Sequence, residues 1–81
     1  MIRYALLGLD LRWVGNDCCP TSDINEARFY ETIEELSEDL KIFDEPLAYI
    51  IVEVNITEKR VIRRSYEYKI LRKNKGENKE V

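Results

Sequence analysis

Residues 47 to 56, LAYIIVEVNI, decide the fold that the sequence predicts. Apolar residues occupy every second position, which is typical of a β-strand with a buried face. That face carries Ala48, Ile50, Val52, Val54 and Ile56. The opposite face carries Leu47, Tyr49, Ile51, Glu53 and Asn55. The stretch therefore predicts a strand more clearly than any other part of the chain.

The following stretch, VIRRSYEYKIL at residues 61–71, predicts a second strand that pairs antiparallel with the first. A slip of one residue would turn the apolar face of a paired strand to water, so side-chain parity limits the register. A three-residue loop at 58–60 sets Tyr66 opposite Val52. A two-residue loop would set Ser65 there instead, so we expect the three-residue loop.

Residues 3 to 13 also alternate as a strand should. One face carries Ala5, Leu7, Leu9, Leu11 and Trp13. The other face begins with Ile2, Tyr4 and Leu6 and continues with Gly8, Asp10 and Arg12. Gly15 and Asn16 are expected to end this strand, and a loop continues through Pro20.

The segment from 29 to 43 carries apolar residues at helical spacing. The stripe consists of Phe29, Ile33, Leu36, Leu40 and Phe43. Thr32 followed by Glu35 matches a capping box, in which the hydroxyl and the carboxylate accept backbone N–H groups at a helix start. We therefore expect a short strand at about 27–30 and a helix from about 33 to 42. The alternative is a continuous helix that starts after Asp23.

Together these segments predict an α+β domain. We expect a small antiparallel sheet of three to four strands, in the order β-β-α-β-β or β-α-β-β, with one helix packed on one face. The single domain is expected to span residues 1–72. Residues 73–81 are polar and have no apolar period, which predicts a disordered tail.

The second face of this sheet predicts an interface. One helix covers only one face, and a helix on the face of Val52 leaves six apolar side chains on the other without a partner. They are Ile2, Tyr4, Leu6, Leu47, Tyr49 and Ile51. Contiguous exposed apolar patches usually mark an interface, and a twofold axis makes one patch complementary to itself. We therefore expect a homodimer through this face, unless the loop at 15–22 folds over it.

The formal net charge of −3 conceals a segregation of charge along the chain. Acidic residues dominate residues 23–45, and basic residues dominate residues 59–75. The acidic segment predicts a partner-binding surface on the solvent-exposed side of the helix. Its residues are Glu31, Glu34, Glu35, Glu38 and Asp39.

The basic last strand supplies candidate nucleic-acid contacts. Tyrosines on a sheet can stack on bases while lysine and arginine neutralise phosphates. The candidates are Arg63, Arg64, Tyr66, Tyr68, Lys69 and Arg72. The alternative, which parity favours, is that both tyrosines pack beneath the helix, and nucleic-acid binding is then the less favoured function.

Reactive chemistry has few candidates. Cys18 and Cys19 are adjacent in the predicted loop of a chain without histidine. A structural zinc site needs about four ligands, and a disulfide between neighbours strains the backbone. A histidine base and a glycine-rich phosphate loop are both lacking from the sequence. We therefore expect no enzyme, no metal and no cofactor.

The sequence also predicts a cytoplasmic protein without a membrane segment. A membrane span needs roughly 18 or more apolar residues in a row, and the chain has no such run. Arg3, Asp10 and Arg12 interrupt the apolar N-terminal stretch, which argues against a signal peptide.

In size and style the chain resembles small proteins of phages and mobile elements. The leading hypothesis is a non-enzymatic protein-binding module, such as an anti-defence inhibitor that masks the nucleic-acid-binding surface of a larger partner. A partner of that kind would be drawn to the acidic helix. The alternatives are a small nucleic-acid-binding protein that uses the last strand, and a dimer that sequesters a small ligand or nucleotide at its seam.

Replacing both Cys18 and Cys19 by serine is expected to keep the fold, because thiols in a loop contribute little packing energy. The melting temperature, followed by circular dichroism, should stay within a few degrees of the wild-type value. Loss of the fold, or stoichiometric zinc in the purified protein, would contradict this prediction.

Overall fold

The computed structural model describes residues 1–59 and 63–72, which form an antiparallel sheet and one α-helix. The strands are β1 (Ile2–Gly8), β2 (Trp13–Val14), β3 (Pro20–Thr21), β4 (Tyr49–Lys59) and β5 (Arg63–Arg72). The helix α1 spans Ile33–Leu40, and short 3₁₀ turns lie at Ile24–Glu26 and Pro46–Ala48. The five strands have the spatial order β3-β2-β1-β4-β5 within these ranges.

The α+β class is confirmed, whereas the expected count of three to four strands and their expected order are wrong, because the described residues form five strands in the order β-β-β-α-β-β. The two additional strands are β2 and β3, each of two residues. The predicted disordered tail at 73–81 lies outside the described residues, as does Arg60 of the predicted hairpin loop.

Strand β4 contains most of the LAYIIVEVNI stretch and lies between β1 and β5. It pairs with β1 from Ile2 opposite Asn55 to Gly8 opposite Tyr49. Its residues from Ile50 to Val52, with Val54 and Ile56, are buried, whereas Asn55 and residues 57–59 are exposed.

The hairpin of β4 and β5 keeps the predicted parity but not the predicted register. Tyr66 lies opposite Ile56 rather than opposite Val52. The pairing continues to Lys59 opposite Arg63, beyond the expected start of the loop at residue 58. A longer ladder forms more backbone hydrogen bonds, and parity alone cannot distinguish registers that differ by an even number of residues.

The predicted strand at residues 3–13 is divided by a turn. Gly8 N–H donates to the Arg12 carbonyl at 2.8 Å, and Leu11 has a left-handed φ of 68°. Asp10 Oδ1 accepts the Arg12 N–H at 3.1 Å, which is the turn chemistry of a short acidic side chain. A Cβ on Gly8 would lie 2.7 Å from Asp10 Oδ1, so the glycine makes this close reversal possible.

Residues 27–30 run from the end of β2, where Ala27 bridges Gly15, to the outer edge of β1. Tyr4 and Tyr30 exchange two backbone N–H···O bonds, of 2.9 and 2.8 Å. The strand expected at about 27–30 is therefore reduced to isolated bridges, at Ala27 and Tyr30. The alternative of one continuous helix after Asp23 is wrong, because Ala27 is extended and ends a single 3₁₀ turn.

The helix α1 begins where the capping box predicts. Thr32 Oγ1 accepts the Glu35 N–H at 3.1 Å, and Glu35 Oε1 accepts the Glu31 N–H at 3.2 Å. The helix ends at Leu40, two residues before the expected end at 42. Its apolar side packs Leu36 and Leu40 onto the sheet.

The face that α1 covers is the one predicted to be a dimer interface, so that part of the interpretation is wrong. Leu6 is fully buried and Ile51 is 7% exposed, in one cluster with Leu36 and Leu40. Tyr4 and Tyr49 are half-buried against the same cluster. Only Ile2 and Leu47 of the six predicted interface residues are exposed.

The backbone pairing of Tyr30 explains why the helix lies on this face. Neighbouring residues of an extended chain point to opposite faces, so Phe29 packs on one side of the sheet and Tyr30 on the other. The helix begins shortly after Tyr30 and lies on the same side of the sheet as the Tyr30 side chain. Side-chain parity within β1 and β4 cannot reveal this choice, because both faces are apolar.

Leu36→Ala should lower the free energy of unfolding by about 2–5 kcal/mol, because it leaves a cavity between α1 and the sheet. Ile33→Ala, on the same helix but 38% exposed, should cost about 1 kcal/mol or less. Urea denaturation of both variants measures the difference. Equal losses would contradict the packing of α1 through Leu36.

Candidate functional site

The candidate site is the face of the sheet opposite α1, which we call the open face. Residues directly opposite each other in an antiparallel pair share a face, so β5 presents its even-numbered residues from 64 to 70 beside Val52 and Val54. The open face consists of Ala5, Leu7, Trp13, Ile50, Val52, Val54, Ile56, Arg64, Tyr66, Tyr68 and Ile70.

Trp13 crosses this face from one side of the sheet towards the other. It belongs to β2, yet its ring meets Tyr68 of β5 edge to face, with centroids 5.2 Å apart. Strands β1 and β4 lie between them. Ala5 of β1 is fully buried in the same cluster as Trp13. The indole is 6% exposed, so the open face has a packed aromatic base.

A second aromatic pair closes the part of the open face next to the β4–β5 hairpin. Phe29 stacks on Tyr66 with ring centroids 6.4 Å apart and planes at 11°. The Tyr66 hydroxyl donates to Asn25 Oδ1. Ile24 also packs on this cluster. Residues 24–29 therefore cover the half of the open face that contains Tyr66.

The remaining half is uncovered in the described structure. Tyr68 is 55% exposed and Ile70 is 47% exposed, although their cross-strand neighbours Val54 and Val52 are buried. Large apolar side chains whose positions are already fixed by packing lose little conformational entropy when a partner protein covers them.

The six candidate nucleic-acid contacts do not converge on this surface. Arg64, Tyr66 and Tyr68 lie on the open face, whereas Lys69 lies on the other side, opposite Glu53. A bulge beside Ile51 places Arg72 opposite that residue, and its guanidinium donates to the Tyr49 carbonyl at 2.9 Å. Arg63 is exposed beside Lys59 at the hairpin end.

Arg64, the one cationic candidate on the open face, has an anionic partner. Its Nε lies 3.3 Å from Glu58 Oε2. Hydrogen bonding to Tyr66, and secondarily to Glu58, raises the pKa of Arg64. The neighbouring carboxylate reduces the positive potential that a phosphate would meet at this place.

Several of the acidic residues predicted to bind a partner have structural contacts. Asp39 Oδ2 accepts the Tyr30 hydroxyl at 2.7 Å and lies 3.7 Å from the Arg28 guanidinium. Burial, with this hydrogen bond to Asp39, raises the pKa of Tyr30. The network ties α1 to the extended residues 28–30, so Asp39 serves the fold.

The other four acids remain on the surface. Glu35 belongs to the helix cap, Glu38 lies 3.3 Å from Lys41, and Glu31 lies 3.8 Å from Arg3. Glu34 is exposed. The predicted acidic surface is therefore partly neutralised by its own neighbours.

The cysteines lie in the turn between β2 and β3. Both are free and exposed, and Gly15 N–H donates to the Cys19 carbonyl at 2.9 Å. A search of the described residues found no cluster of three or more His, Cys, Asp or Glu side chains arranged to hold a metal. In the same part of the chain, no helix has the length and apolar character needed to cross a membrane.

Comparisons with protein-family models, with curated proteins and with solved structures gave no significant match. The function therefore has to be inferred from the chain's own residues.

Sequence reasoning identified the tyrosines of the open face but missed its base and its cover. Alternation correctly placed Trp13 with Ala5 on one side of the sheet, although a turn separates them. It gave no sign that Phe29 leaves the helical stripe to stack on Tyr66. Ile70 continues the alternation of Tyr66 and Tyr68, and that signal could have identified it.

Tyr68→Ala should expose one edge of the Trp13 indole to water. The tryptophan emission should shift to longer wavelength and be quenched more strongly by iodide, because Trp13 is the single tryptophan of the chain. Lys69→Ala, one residue along β5 but on the other face, is the matched control. Equal spectra for the two variants would contradict the contact between Trp13 and Tyr68.

Proposed function

We propose that the protein is a small non-enzymatic protein-binding module that docks a partner protein on the open face. The observation that supports this most directly is the exposure of Tyr68 and Ile70 above a buried aromatic base. Apolar side chains of this size at a protein surface, next to polar neighbours, are characteristic of interaction sites.

The local geometry supports the proposal further. Tyrosine and tryptophan are enriched among the residues that dominate binding energy, and they act best when their own positions are fixed before binding. Tyr68 is held by its edge-to-face contact with Trp13, at a centroid distance of 5.2 Å. The ion pair of Arg64 and Glu58 lies at the rim of the same face and would remain solvated in a complex.

The acidic residues of α1 support a more specific form of this proposal. Glu34 and Glu38 are exposed on the side of the molecule opposite the open face. A partner with a basic surface, such as one that binds nucleic acid, would be attracted by these carboxylates over a distance set by screening. In this form of the proposal the carboxylates attract the partner before contact, and docking of the open face makes the protein an inhibitor that masks the partner's surface.

Two alternatives have weaker support. Direct nucleic-acid binding would require the cationic residues of β5 to act together, and they lie on two faces, with Arg64 already paired to Glu58. Sequestration of a ligand at a dimer seam required the face of Leu6 and Ile51, which α1 covers.

Affinity capture with tagged protein from the native host tests the proposal. Wild-type protein should retain a partner in stoichiometric amount, and the double variant Tyr68→Glu and Ile70→Glu should lose it, because two charges would be desolvated at the interface. Glu34→Lys with Glu38→Lys is the matched control on the opposite side. Circular dichroism first establishes that both double variants are folded.

Two results would contradict the proposed docking face. One is loss of the partner in the helix variant with retention in the open-face variant. The other is binding of single-stranded DNA or RNA at micromolar concentration and physiological salt that Arg64→Glu abolishes, since phosphate contacts weaken steeply with salt. Fluorescence anisotropy with a labelled oligonucleotide measures the second.

A further inference from the structure

The outer edge of β5 is the longest unpaired strand edge among the described residues. Strand β5 has ten residues and is the last strand of the sheet, with β4 on its inner side. The opposite edge of the sheet is β3, which has only two residues. Unpaired N–H and C=O groups along an extended edge are a template for another strand.

Natural edge strands are usually protected by charges, and the charges of β5 are ordered in a particular way. Glu67 and Lys69 lie on the face of α1, at equal distances on either side of Tyr68. Tyr66 and Ile70 are placed symmetrically about Tyr68 on the open face. The middle of the strand, residues 66–70, is thus complementary to its own antiparallel copy about a centre at Tyr68, whereas the same register sets Arg64 opposite Arg72 at each end.

We propose that a second copy of this chain pairs antiparallel with β5, with the twofold axis passing through Tyr68. Glu67 of each copy then lies opposite Lys69 of the other, and Tyr66 lies opposite Ile70. Opposite charges directly across two strands stabilise pairing, and so do aromatic residues opposite β-branched ones. The two sheets become one continuous sheet with its open faces on the same side.

Neighbouring registers are less favourable. A centre at Glu67 sets two glutamates opposite each other, and a centre at Lys69 sets two lysines opposite each other; both arrangements are destabilising. A twofold axis that passes between two neighbouring residues of β5 would put the open face of one copy on the same side as the α1 face of the other copy. Only the register centred on Tyr68 combines like faces with complementary charge in the middle of the strand.

The cross-strand neighbours in β4 extend the same pattern. Lys69 lies opposite Glu53, and Glu67 lies opposite the neutral Asn55. In the paired form Lys69 would therefore have a carboxylate on each side, from Glu53 of its own chain and from Glu67 of the second copy. The exposed Tyr68 and Ile70 would be partly covered at the seam.

This proposal does not depend on the proposed function, because edge pairing uses backbone groups of β5 and leaves most of the open face free. The charge-exchange test of the register uses residues on the other face for the same reason. Light scattering on the purified chain from micromolar to submillimolar concentration should give a dimer. A monomer throughout this range would overturn the proposal.

Charge exchange tests the register. Glu67→Lys sets two lysine pairs across the seam, and Lys69→Glu sets two glutamate pairs, so each variant alone should be a monomer at concentrations where the wild type is a dimer. Mixed in equal amounts, the two variants restore both opposite-charge pairs and should form a heterodimer. Arg63→Glu is the matched control, because residue 63 lies beyond the central pairs, and it should remain a dimer.

Thermal denaturation of each variant separates loss of pairing from loss of fold, which matters for Lys69→Glu because of Glu53. A dimer that persists in both single variants, or a mixture of folded variants that stays monomeric, would overturn the edge pairing.

A cysteine at the twofold axis gives a second, independent readout. In a background with Cys18 and Cys19 replaced by serine, Tyr68→Cys should form a disulfide between two copies on mild oxidation, because a residue at the axis faces itself. Ser65→Cys lies on the same strand but faces Leu71 of the second copy, so it should crosslink at least tenfold more slowly. Equal rates for the two cysteines would contradict the centre at Tyr68.

Discussion

Burial of both faces of β4 is the constraint on which the rest of the structure depends. Its two faces are apolar, and an eight-residue helix can cover only one of them. The chain covers the other in part with residues 24–29, which cross the sheet before the helix begins. The backbone pair of Tyr4 and Tyr30 joins the two coverings, because the chain passes from one side of the sheet to the other at that point. The open face is what this division of a short chain leaves uncovered.

Local patterns in the sequence were sufficient for the strands, the helix and its cap. Thr32 and Glu35 specify the start of α1 through contacts within five residues, and such contacts are visible in the sequence. The side of the sheet that α1 occupies depends on Tyr4 and Tyr30, which are far apart in the chain, and on faces that are equally apolar. The expectation that the face of Tyr4 and Tyr49 is uncovered was wrong for that reason. The alternation of apolar and polar residues also continues through residues 8–12, although these residues form a turn and not a strand.

The candidate site was partly visible in the same way. Parity placed Tyr66 and Tyr68 together, but the contact that holds Tyr68 comes from Trp13, three strands away in the sheet. The small Ala5 lies in the same buried cluster as Trp13. The periodicity of apolar residues does not predict a side-chain contact that reaches across two strands. The charges were visible as segregated segments, yet their effect depends on pairs such as Arg64 with Glu58 and Asp39 with Arg28.

The pairing of β1 with β4 also determines when the chain can fold during its synthesis. Ile2 pairs with Asn55 and Gly8 with Tyr49, so the first strand made has its partner more than forty residues later. Until β4 has left the ribosome, β1 lacks its longest pairing and has only the short contacts with β2 and Tyr30, and contacts of this sequence separation close slowly. The capped helix and the turns at 8–12 and 15–19 are local and can form earlier. Strand β1 is therefore made well before its partner β4 and is among the last strands to be buried.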